Sequence, residues 1–166
     1  MSSFKNIVDI YKVVRNDEDL LRLLIYPPED MGRGIKDPLD KNLQNIKDKS
    51  VEELFSLQEY HILSTGKSSD MEEKEICRIY IYNGRRNGIS DKWNLADQEL
   101  IIDVFVHHSY ENGDFRSARI NDRLNDVLIS SNFTGVTKMR FDNSAPIGAP
   151  KNYIAYRTVY EYTVSK

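Results

Sequence analysis

Apolar spacing changes three times along this chain of 166 residues, and those changes constrain the fold more tightly than any single motif. Up to about Leu57 apolar residues recur at helical intervals, and from Glu59 to His108 they alternate with polar ones. Helical spacing returns over Phe115–Ser131, and alternation resumes in Val136–Asp142 and Tyr153–Val164. Strands grouped on both sides of one long helix lack the strict strand–helix rhythm of a parallel sheet. They predict an α+β fold: a mainly antiparallel sheet covered by an amphipathic helix, with N-terminal helices and a long loop.

Local signals refine this order. Ile7, Ile10, Tyr11 and Val14 form one stripe and Leu20, Leu21, Leu23 and Leu24 another, with Arg15-Asn16-Asp17 between them, so two short helices or one kinked helix are expected. Asn16 is the expected cap of the second stretch, and Pro27-Pro28 ends it because proline has no amide proton. Residues 28–49 are rich in glycine, proline and mixed charge and read as an extended surface loop or arm. Ser50-Val51-Glu52-Glu53 has capping-box spacing and opens a helix to about Leu57. Strands are expected over Glu59–Thr65, Glu75–Tyr82 and Leu95–His108, with Asn83-Gly84, Asn87-Gly88 and Asn112-Gly113 as turns. In the later helix Ile120, Leu124, Val127 and Leu128 share a face, Asp114 is the expected cap, and Asn143–Asn152 reads as a loop.

Composition excludes several classes. At 40% apolar and 30% charged residues the chain suits one soluble domain over 1–166. Its one cysteine, Cys77, has no partner for an internal disulfide, which favours a reducing compartment. No apolar run approaches the ~20 residues of a membrane span, and Met1–Lys12 lacks a signal-peptide pattern, so the chain is expected to stay where it is made. With 23 basic against 26 acidic residues it lacks the positive surplus of a phosphate-binding surface. Tyrosine is abundant, 10 residues against 6 Phe and 1 Trp, and Tyr80, Tyr82, Tyr153, Tyr156, Tyr160 and Tyr162 on predicted strands offer amphipathic contact area.

Catalytic signatures are weak. Thr65-Gly66-Lys67-Ser68 imitates the end of a phosphate-binding loop, but His61 stands where its first glycine belongs. His107-His108 lies near Asp103, Glu111 and Asp114, yet adjacent histidines on a strand point to opposite faces. A small metal-dependent hydrolase using Asp103, His107 and Glu111 is the enzymatic alternative. Cys77 alternates with Ile79 and Ile81 as a small buried hydrophobe does. Asn132-Phe133-Thr134 matches a glycosylation acceptor by chance. No catalytic residue, cofactor or metal site is expected.

Taken together, IVDIYKVVRNDEDLLRLLIYPPED, a polar stretch with DPLD and NI, RIYIYNGRR, LIIDVFVHHSYE, RSARINDRLNDVLISS and the closing YRTVYEYTV resemble phage tail-terminator or tail-completion proteins of the head–tail neck. The resemblance implies a structural virion protein, assembled in the host cytoplasm as a homo-oligomeric ring, commonly a hexamer, on the end of the tail tube. Its implied partners are further copies of itself, the tail tube protein and a head–tail connector or stopper, with DNA met only as it passes through the lumen. A head–tail stopper or other neck protein is the nearest alternative, and an adaptor binding a host protein through residues 29–49 a more distant one. Ring protomers need contacts on two different sides. The residues expected to supply them are Arg33, Ile35, Leu39 and Ile46 in the arm, Arg85, Arg86 and Trp93 in Asn83–Asn94, and Ile147 and Tyr153 near the last loop.

Overall fold

The computed structural model describes residues 3–133 and 138–165. In chain order it has α1 (Ser3–Arg15), α2 (Glu18–Ile25), α3 (Val51–His61), β1 (Ile62–Leu63), β2 (Cys77–Ile89), β3 (Lys92–His107), α4 (His108–Glu111), α5 (Arg116–Ser130), β4 (Arg140–Ile147) and β5 (Tyr153–Ser165), with single 3-10 turns at Met31–Arg33 and Ile46–Asp48. The strands form one sheet in the order β1-β2-β3-β5-β4, parallel only between β1 and β2. This is the α+β architecture that the apolar spacing predicts.

One sheet face carries the main core. Ile79, Ile81, Leu100, Ile102, Val104, Val106, Tyr160 and Tyr162 are buried under Ile10 and Val14 of α1, the leucines of α2, and Ile120, Leu124, Val127 and Leu128 of α5. On the opposite face a smaller cluster, Met71, Ile76, Tyr80, Phe105, Tyr153 and Ala155, is closed by the segment between β1 and β2. Buried tyrosines pin these layers through their hydroxyls. Tyr160 donates to Asn125 Oδ1 at 2.6 Å, and Tyr153 and Tyr80 donate to the carbonyls of Lys74 and Lys67. Of the six strand tyrosines only Tyr82 and Tyr156 are partly exposed, and the other four pack inside the protomer.

Residues 29–49 form a largely exposed, irregular segment that is fastened to the body. Arg22, 4% exposed, donates from Nε to Glu18 Oε1 (2.9 Å), from Nη1 to Asp40 O (2.8 Å), and from Nη2 to Leu43 O (3.0 Å) and Asn45 Oδ1 (2.6 Å). The Glu18 carboxylate also accepts from the amides of Ile46 (2.6 Å) and Lys47 (3.0 Å), and Asp37 pairs with Arg119 at 2.8 Å. Ile46 is fully buried in the main core. A stretch poor in apolar residues is thus fastened mainly through its carbonyls, a mode that apolar spacing does not register.

Other boundaries also shift for tertiary reasons. The capping box at Ser50 and Glu53 forms, but α3 continues to His61 and leaves only two residues of the strand expected at Glu59–Thr65. That extension places Gln58 against the end of α1, where its Nε2 donates to Arg15 O at 2.8 Å. Asp17, not Asn16, caps α2, accepting from Leu20 N at 2.9 Å. Phe115, in the left-handed region at φ 51°, stands at the N-cap of α5, while Glu111 accepts from Ser117 N at 2.7 Å and Asp114 is occupied by Arg116 and Arg119. β2 and β3 stay paired through both Asn-Gly pairs and turn at Ser90-Asp91. β4 runs to Ile147 through the first half of the expected Asn143–Asn152 loop. Of the strand expected at Val136–Asp142, residues 136 and 137 lie outside the described residues, as does Thr134 of the glycosylation-like triplet.

Two measurements check these anchors. Replacing Arg22 with Leu leaves the carbonyls of Asp40 and Leu43 without their donor, so the variant is expected to lose about 3 kcal/mol of stability and to be cut by protease within residues 29–49 before the rest of the chain. Buried Arg78 binds both oxygens of Asp70 (2.8 and 3.1 Å) and holds that carboxyl well below its ordinary range. The stabilisation is therefore complete above the unfolded value of about 4 and is lost as pH falls below it. Asp70→Asn is expected to cost about 2 kcal/mol at neutral pH and to flatten the acid limb of the melting-temperature profile.

Candidate assembly interface

The residues expected to meet partners do not converge on one surface. Arg33 is exposed and Leu39 39% exposed on the fastened 29–49 segment, while Ile35 is half-buried and bridges Asp30. Ile46 and Tyr153 belong to the protomer's own cores, and Ile147 packs against the second one. An apolar or amphipathic residue between polar neighbours looks the same in sequence whether it anchors its segment or meets a partner. Arg85, Arg86 and Trp93 are carried together on the β2–β3 hairpin, at the end of the sheet away from Ile147 and Tyr153. Met31, 88% exposed beside Arg33, was not among the expected residues; its place in a short 3-10 turn has no sequence period to mark it.

The hairpin is built to hold its direction. Pairing between β2 and β3 slips between Asn83 and Arg86, and at this bulge the buried Gln98 side chain donates to the carbonyls of Gly84 and Arg85, both at 3.2 Å. The Glu99 carboxylate accepts from Arg85 N at 2.9 Å and lies 3.3 Å from its guanidinium. A Cβ on Gly84 would lie 2.9 Å from Glu99 Cβ and closer still to the ends of the Glu99 and Ile101 side chains, so a larger residue there has to displace them. Arg86 Nη2 donates to Ser165 O at 3.0 Å and ties the hairpin to the end of β5. Trp93 stands 85% exposed near the turn. β1 covers β2 only at Ile79 and Tyr80, so among the described residues no strand flanks the outer edge of β2 from Tyr82 onward.

The residues considered for catalysis are dispersed or already engaged. Asp103 receives Arg157 Nε and Nη2, both at 2.8 Å, and the Tyr82 hydroxyl at 2.7 Å; burial, then the hydrogen bond to Asp103, pushes that phenol up to about 12. Glu111 caps α5 through Ser117, and His107 Nδ1 lies 2.7 Å from Ser109 Oγ with its ring against Tyr153. The His107 and His108 rings are 6.4 Å apart. Among the described residues no group of three His, Cys, Asp or Glu side chains is placed to share a metal ion. Cys77 is fully buried and desolvation pushes its thiol up to about 12, which keeps it protonated. Thr65-Gly66-Lys67-Ser68 leads into turns rather than a helix, and the Lys67 carbonyl is taken by Arg78. No described helix is long and apolar enough to cross a membrane.

Known proteins supply relatives at two levels. The SPbeta prophage-derived uncharacterized protein YomW of Bacillus subtilis (strain 168) is 27% identical over 164 residues, covering 95% of this chain and 94% of the relative. Among solved structures, a chain from the virion of a native gene transfer agent particle has the same fold, with a TM-score of 0.57 at 12% identity over 96% of this chain and 94% of that one. The YomW family profile matches residues 17–162, from the cap of α2 to the last buried tyrosine of β5, and the chain belongs to the YomW family.

Proposed function

We propose that this chain is a structural protomer of a phage-derived virion and that it sits at the end of the tail, where copies form a ring that caps the tail tube and provides the surface for joining the head. The carrying observation is the end-to-end fold likeness to a chain of a gene transfer agent virion, and a prophage-derived relative of matching length supports it. The engagement of Asp103, Glu111 and Cys77 in the protomer's own structure favours an architectural role over the hydrolase alternative. In this reading the partners are further copies of the chain, the tail tube protein and a head–tail connector or stopper, and DNA is met only in passage. The firmly braced hairpin with Trp93 at its tip fits a protomer that must reach beyond its own body.

Electron microscopy of particles produced with and without this chain tests the assignment. Loss of the chain is expected to leave tails of irregular length that do not join heads, and the intact particle is expected to carry the protein at the neck. Tails of normal length attached to filled heads in its absence would overturn the tail-end role.

A further inference from the structure

We infer that the β2–β3 hairpin is the plug of a contact between copies, seated through Trp93 in the acidic groove on α3 of a second copy of this chain. The inference rests on the reading of the chain as an assembling protomer and names the surfaces that join its copies. Residues 83–95 contain Arg85, Arg86 and Lys92 against Asp91, a positive surplus around an indole that is 85% exposed. The groove is an open depression of about 490 Å³ lined by Lys49, Glu52, Glu53, Ser56 and Leu57. Its two carboxylates, Glu52 and Glu53, outnumber its one cation, Lys49, so its charge is of the opposite sign.

The net charge of these two places is of opposite sign, positive on the hairpin and negative in the groove. A tryptophan flanked by cations suits a groove in which Leu57 lies among the Glu52 and Glu53 carboxylates, an apolar contact with charged neighbours. With a formal charge of −3, copies repel one another at long range, so a local pairing of opposite signs also selects the orientation in which they meet. The two surfaces occupy different parts of the protomer: the hairpin tip lies at the far end of β2 and β3, and α3 leads into β1 beside the start of β2. When one copy's hairpin enters the next copy's groove, the second hairpin remains free to repeat the contact. Such a heterologous contact closes into a ring when its rotation closes.

Sedimentation of the full chain over a range of concentrations tests this contact. Self-association is expected at about 50 mM salt and a weakening of at least about 10-fold at about 500 mM, because the pairs lie at an exposed rim. Trp93→Ala is expected to weaken it about 30-fold with an unchanged melting temperature, as the indole makes no core contact. A hairpin variant with Arg86→Glu and Lys92→Glu, and a groove variant with Glu52→Lys and Glu53→Gln, the glutamine keeping the capping box, are each expected to be monomeric. Mixed in equal amounts they are expected to associate within a few-fold of the parent, because each hairpin then meets a groove of opposite charge. A parent chain that stays monomeric at low salt overturns the inference. So do a Trp93→Ala variant that associates like the parent and a mixture that fails to recover. Association that ignores all these changes removes this contact but leaves the tail-end ring standing, which only the particle experiment can remove.

Discussion

A proline pair creates the need that the helical layer is organised to meet. Pro27 stands where an amide should donate to the Leu23 carbonyl, and it has no proton to give. Arg116, fully buried at the start of α5, supplies the missing donor: its Nη1 reaches Leu23 O at 2.5 Å and Tyr26 O at 2.8 Å. Its charge is balanced by Asp114 at 2.6 Å, and Asp114 also holds Arg119, which in turn holds Asp37. One buried guanidinium therefore joins the end of α2 to the start of α5 and, through a chain of ion pairs, to the 29–49 segment. A buried charge with these partners is far cheaper than one without them, and the helix end gains partners for carbonyls that would otherwise lie buried and unpaired.

The same device recurs with Arg22 and Arg78. Each is a nearly inaccessible arginine that binds main-chain carbonyls of an irregular segment and a carboxylate that balances its charge. Segments with too few apolar residues to bury themselves are secured by hydrogen bonds radiating from the body. The guanidinium suits this work because it presents several donors in a fixed plane. Three of the chain's arginines are thus spent inside the fold rather than on a solvated face.

This division explains what could be read from the sequence. Periodicity reports which side chains face a core, so the stripe of α5, the alternating faces of β2 and β3 and the α+β class are all legible. It carries no information on long-range donors, so residues 29–49 read as an arm although Arg22 and Glu18 hold them. Caps fail for a related reason: Asn16 and Asp17, or Glu111 and Asp114, are equivalent acceptors until the guanidinium each one faces is known. Asn-Gly pairs are competent turns, but β2 and β3 keep enough partners to continue past both of them. Of the candidate interface, Trp93, Arg85 and Arg86 were recognisable as a cluster of nearby residues. Ile46 and Tyr153 were not distinguishable from surface contacts, because burial is decided by segments far away in sequence.

The close approach at Gly84 has a consequence for variation among related chains. The direction of the hairpin is held by a glycine packed closely against Glu99 and Ile101 and by a glutamine bridging the strands beneath the tip. None of these groups touches Trp93 or the Ser90-Asp91 turn. The stem must therefore be preserved as a unit, whereas the tip can be exchanged without altering where it points, so that a change of partner needs only a few substitutions at the end of an inherited handle.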